Sequence, residues 1–163
     1  MTYPSSSQDG SVQHSPLLVV AFVAGVLVLG GVIGASSAPD EWYRALDKPV
    51  FNPPDWVFAP VWTVLYAMMG YAGYRVWRAL GARSAAFGLW ILQLVLNLAW
   101  TPIFFQGHSL PLASIEIVLL LGAIGAFMVT VREREWVSFL LFIPYALWVG
   151  FATVLTWTIW AMN

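Results

Sequence analysis

The chain has 163 residues, 60% of them hydrophobic and only 9% charged, with a formal net charge of −1 and a mean hydropathy of +0.77. Soluble globular domains carry about 25% charged residues, so a water-soluble class is excluded, and the near-neutral charge argues against nucleic-acid or other polyanion binding. There is no cysteine, which excludes disulfides, thiolate nucleophiles and cysteine metal sites, and His14 and His108 lie too far apart to suggest a metal centre.

Residues 1–16 (MTYPSSSQDGSVQHSP) are polar and Ser-rich and read as a disordered tail. Residues 17–36 carry no charge. Such a stretch, at about 1.5 Å per helical residue, crosses about 30 Å of hydrocarbon. Gly30 and Gly34 within it form a small-xxx-small pair of the kind that lets helices approach closely.

Residues 37–59 differ from everything around them, concentrating charge, proline and aromatic rings between two apolar spans. Pro49, Pro53, Pro54 and Pro60 fix φ and disfavour helix around themselves, so the segment is expected to be an ordered extended loop. Trp42, Tyr43, Phe51, Trp56 and Phe58 suit headgroup depth. Two readings stay open: a structured cap over a membrane bundle, or an aromatic belt that only anchors two helices.

Four more spans are expected at 60–77, 85–105, 110–131 and 137–162. Their short connectors force antiparallel neighbours. The expected fold is an all-α integral membrane protein, a single five-transmembrane-helix bundle over residues 17–163, with the lipid bilayer as its first partner. Arg75, Arg78, Arg83, Arg132 and Arg134 fall on the N-terminal side, against Arg44 and Lys48 opposite. In a plasma membrane this bias places the N-terminus in the cytoplasm.

Within the spans, Gln93, Asn97 and Trp100 share a helix face, with Phe104 one turn on and Pro102 disrupting the backbone ladder. Asn97 suits either of two roles, satisfying carbonyls freed at Pro102 or anchoring a ligand in an apolar pocket. Pro144 and Tyr145 are expected to open the last helix, with Trp148, Ala152 and Leu155 continuing the Tyr145 face. Trp62, Tyr66 and Gly73 repeat that large-then-small arrangement. Core packing and a pocket for a flat ligand both produce such faces; three of them beneath an aromatic cap favour the pocket. Glu116 is the single acid inside a span, where an ionisable residue suggests transport or proton relay. No hydrolytic motif is present: neither G-x-S-x-G nor HExxH occurs.

Trp42-Tyr43, Leu46, Lys48-Pro49, Pro53-Pro54, Trp56, Pro60, Trp62-Thr63 and Leu65-Tyr66 resemble the signature of the tryptophan-rich sensory protein and translocator protein family, also called peripheral-type benzodiazepine receptors. Gln93, Asn97, Trp100, Pro102, Phe104 and Phe105 resemble its third-helix motif; Pro144, Tyr145, Trp148, Phe151, Ala152, Leu155 and Asn163 resemble its fifth helix. The resemblance implies a five-helix bundle, often a homodimer, whose pocket beneath the cap binds porphyrins such as haem and protoporphyrin IX, and in several members sterols. It requires no cofactor. The implied ligand-binding set is Trp62, Tyr66, Asn97, Trp100, Tyr145, Trp148 and Ala152, under a cap built from Trp42, Tyr43, Lys48, Pro49, Pro53, Pro54 and Trp56. Three readings follow: a receptor or carrier for porphyrins and similar flat apolar ligands, acting in tetrapyrrole transport or stress sensing; an enzyme degrading protoporphyrin IX in light through Trp62 and Trp148; or a sterol or proton-coupled transporter, the latter using Glu116. The chain ends VLTWTIWAMN and lacks the Tyr and the Lys or Arg of the vertebrate sterol motif, which favours tetrapyrrole over sterol.

Overall fold

The computed structural model describes residues 15–37 and 39–163; the expected tail at 1–14 lies outside them. Five long helices form the body: α1 (Pro16–Ser36), α3 (Phe58–Leu80), α4 (Ala85–Phe105), α5 (Leu110–Val131) and α6 (Trp136–Met162), with a short α2 (Glu41–Ala45) between the first two. Four of the long helices are apolar enough along their length to cross a membrane. The fifth, α3, spans 23 residues and is less apolar, carrying several Tyr residues along it and Arg75 and Arg78 in its last two turns. The chain is a five-span integral membrane protein.

Local chemistry sets the boundaries. Ser15 and Pro16, assigned above to the tail, instead open α1, because proline at a first helical position has no N–H to leave unpaired. The Ser84 side chain accepts from the Phe87 N–H (3.2 Å) at the start of α4. Gly81, at φ 85°, stops α3, its N–H donating to the Trp77 carbonyl.

Three expectations about proline need correction. The segment 37–59 is not wholly extended: Asp40 caps a turn of helix by accepting from the Tyr43 N–H (3.0 Å), and Asp55–Val57 forms a 3₁₀ turn. The helix-excluding reach of Pro49 does not extend back that far. Pro60 lies inside the first turn of α3, where its missing donor costs nothing. Pro144 does not open the last helix but sits within α6, eight residues after it begins at Trp136.

The long helices are arranged in a ring, α1–α3–α6–α5–α4 and back to α1. Its lower half, towards the Arg75 end of α3, is closed. Gly70 lets α3 meet α1 backbone to backbone: a Cβ there would lie 2.7 Å from the Val23 Cα and 2.9 Å from the Phe22 carbonyl oxygen. Trp90 crosses from α4 into the gap left by Gly73, and its indole N–H donates to the Met69 carbonyl (2.9 Å). Gly73 therefore serves core packing and is not part of a ligand-facing stripe. Below it, Arg75 pairs with Glu135 (2.9 Å) and ties α3 to the turn before α6. The expected Gly30–Gly34 contact is also not a pair. Gly30 receives the Tyr66 ring, whereas nothing lies within 4 Å of a Cβ at Gly34.

Candidate functional site

With the lower half filled by Trp90 and its neighbours, the upper half of the ring stays hollow. A cavity of about 490 Å³ lies there, walled by all five long helices and roofed by the segment between α1 and α3. Its size falls within the range of small-molecule sites.

Six of the seven residues expected to bind ligand line it: Trp62 and Tyr66 from α3, Asn97 and Trp100 from α4, and Trp148 and Ala152 from α6. Their rings fall in three separate aromatic groups, one on each side of the cavity. Trp62 lies 5.2 Å from Tyr66, Trp148 meets Phe58 edge-on at 5.9 Å, and Trp100 stacks on Phe104 at 4.9 Å. Tyr145 is outside the lining, fully buried behind it, where its hydroxyl accepts from the Asn97 amide nitrogen (3.0 Å). Asn97 thus spends its donor on α6 and not on carbonyls freed at Pro102. Its Oδ1 is left without a protein partner, as is the Trp100 indole N–H. Both atoms are themselves buried in the wall and are unpaired among the described residues.

The cap residues divide. Tyr43 lines the cavity from above and is itself 7% exposed, packed edge-on against Phe104 and Phe105. Lys48 lies over the Tyr43 ring at 4.6 Å and donates to the Leu46 carbonyl (2.9 Å), bracing the roof. Trp42 stacks on His108 at 4.4 Å. Pro49, Pro53, Pro54 and Trp56 stand away from the lining, and Trp56 is 74% exposed.

Two side-chain latches hold the roof down. From the α4–α5 turn, Gln106 donates to the Ser36 carbonyl (3.0 Å) and the Ser37 hydroxyl (2.9 Å), while His108 Nε2 lies 2.9 Å from Asp40. From the end of α6, Asn163 accepts from the Asp47 N–H and donates to the Asp47 carbonyl, both at 3.0 Å. The Tyr43 N–H, reinforced by His108, holds the Asp40 carboxyl below its ordinary value. Burial, and then the Asp55 carboxylate nearby, push the Tyr43 phenol up.

Sequence reasoning did not find Asp55, the single charged residue among those lining the cavity, nor Ile117 and Leu120, through which α5 contributes. It also missed that Gly31, Gly34 and Ala35 of α1 form one wall. None of these has a local signal: they are small, aliphatic or loop residues whose role depends on how the helices are arranged.

Residues 18–161 match the family model described as TspO/MBR family. The chain is 37% identical over 150 residues to Protein CrtK of Rhodobacter capsulatus, covering 90% of this chain and 92% of that protein. It is 37% identical over 142 residues to the human Translocator protein, covering 83% and 84%. It is also 37% identical over 158 residues to the Tryptophan-rich protein TspO of Chlorobaculum tepidum, covering 92% and 99%. A match of this extent, on a five-span bundle with a capped aromatic cavity, means that the chain belongs to the TspO/MBR family of membrane translocator and sensory proteins.

Proposed function

We propose that this protein is a membrane receptor or carrier that binds porphyrins and similar flat, largely apolar ligands in the cavity beneath the cap. The observation behind this reading is the cavity wall itself: aromatic faces from Trp62, Tyr66, Trp100 and Trp148, with unpaired polar atoms on Asn97 and Trp100. Rings of this kind stack on an extended, largely apolar π-system. Among the described residues no Lys, Arg or His lines the cavity. A porphyrin would therefore keep its carboxylates at the roof, on the side of Lys48 and Arg44, with the macrocycle inside. The name of the human relative, Translocator protein, agrees with carriage. The same reading has the protein working as a homodimer, which native mass spectrometry would check.

A second reading, light-driven oxidation of bound protoporphyrin IX by dissolved oxygen, is favoured by one observation. Two indoles, Trp62 and Trp148, line the same cavity. One experiment separates the two. Protoporphyrin IX is titrated in the dark while tryptophan fluorescence is followed, then the sample is illuminated beside a Trp62→Phe, Trp148→Phe variant. Saturable quenching with stable porphyrin absorbance supports the receptor or carrier. Porphyrin loss that depends on the two tryptophans supports the photochemical reading, and no quenching at micromolar porphyrin refutes both.

A further inference from the structure

Glu116 lies six residues into α5, about 9 Å below the helix start, and is 6% exposed. At matching depth on the antiparallel α4 are Trp100 and Asn97, about 8 and 12 Å below its end. Both Glu116 carboxyl oxygens are buried, and neither has a hydrogen-bond partner among the described residues. Its helix neighbours Ile117 and Leu120 line the cavity and Glu116 itself does not, so it is a buried acid at cavity depth on the helix that closes that side.

An ionised carboxylate in that position would be untenable without a counter-charge. None is at hand. Helices α1 and α4 contain no titratable residue, and α6 contains only Tyr145. On α3, the titratable group at cavity depth is Tyr66; Tyr71, Tyr74, Arg75 and Arg78 lie at the far end, where Arg75 is already paired with Glu135. At the roof, Tyr43 and Asp55 reach the cavity, Lys48 is occupied with backbone carbonyls, and His108, in the turn ahead of α5, is paired with Asp40 (2.9 Å). A carboxyl buried there without a counter-charge is tolerated only as the neutral acid. The cavity, whose one charged lining residue is an acid, would welcome positive charge.

We propose that Glu116 is a proton-binding site coupled to the cavity, so that the cavity accepts a planar aromatic cation in exchange for a proton. The carboxylic acid gives its proton to solvent as the cation enters, and the carboxylate left behind balances the cation's charge. Neutral ligands bind without this exchange. The inference rests on the reading of the cavity as a ligand site and adds a class of ligand that reading does not contain.

The test uses the full chain in lipid nanodiscs, with acridine orange as the planar cation and uncharged acridine as its neutral counterpart. In the ligand-free protein, infrared spectroscopy should show the carbonyl band of a protonated carboxylic acid that Glu116→Gln removes. Acridine orange should abolish this band in the wild type and acridine should not. Calorimetry in two buffers of different ionisation enthalpy should report release of about one proton per cation bound, and none in Glu116→Gln. The variant should bind the cation about tenfold more weakly, the scale of one charge–charge attraction across a protein interior, and bind acridine unchanged. Absence of the acid band refutes the proposal outright. Binding of acridine together with cation binding that releases no proton, or that the variant matches, refutes the exchange alone. Failure of both dyes to bind refutes the exchange and the cavity reading together.

Discussion

Gly70 offers the sharpest test of how the bundle is held together. In Gly70→Ala the new Cβ would stand 2.7 Å from the Val23 Cα and 2.9 Å from the Phe22 carbonyl oxygen, whereas carbon contacts relax at about 3.5–4.0 Å. The obstacles are backbone atoms, so no rotamer can move aside; α1 and α3 must part by about 1 Å. Overpacking of this kind costs about 1–3 kcal/mol, against a helix-propensity gain of about 0.8–1 kcal/mol for replacing glycine with alanine. The expected net is a loss of up to about 2 kcal/mol. Gly122→Ala and Gly125→Ala on α5 supply the control, since both positions are exposed and a Cβ there meets nothing within 4 Å. They should be neutral or slightly stabilising. Unfolding in one detergent, by heat or by dodecyl sulfate titration, gives the ranking. A Gly70→Ala protein as stable as the two controls would refute the backbone contact between α1 and α3.

Tyr145→Phe removes the acceptor for the Asn97 amide (3.0 Å); leaving that buried donor unpaired should cost about 1–3 kcal/mol by the same unfolding assay. Asn163→Ala cuts both bonds to Asp47, so hydrogen exchange should speed up around residues 46–48 while α3 and α4 keep their protection. Asp40 is held below its ordinary 3.8, so its contribution to the roof is complete above that value and lost as pH falls through the depressed value. The protection of α2, measured relative to the intrinsic pH-dependent exchange rate, should therefore be flat from neutral pH to about 5 and fall only in stronger acid. Asp40→Asn should remove that acid step.

The long helices were legible in the sequence because hydropathy and length act locally: the expected spans 85–105 and 110–131 coincide with α4 and α5. The span at 60–77 was drawn short at both ends. Pro60 does not bar helix on its N-terminal side, where its missing donor is tolerated, and Arg75 continues the helix and pairs with Glu135. The aromatic part of the site was legible too, since Trp62, Tyr66, Trp100 and Trp148 stand on faces that helical spacing defines. What spacing could not give was which small residues serve the cavity. Gly34 lines it and Gly73 does not, because Trp90 arrives from another helix to fill the space beside Gly73. That distinction exists only once α3 and α4 are side by side. The short α2 could have been anticipated, since Asp40 three residues before the Tyr43 N–H is a capping arrangement.

Gly31, Gly34 and Ala35 of α1 are at once part of the cavity wall and exposed on the outside of the bundle. Along that stretch little more than backbone separates the cavity from the surrounding lipid tails. A hydrophobic ligand is thus offered to the protein at its concentration in the bilayer, which partitioning sets far above its aqueous value. Apparent affinity should then scale with the lipid-to-protein ratio, and two ligands with equal contacts would rank by their solubility in the membrane. Affinities for this protein are best expressed per mole of lipid.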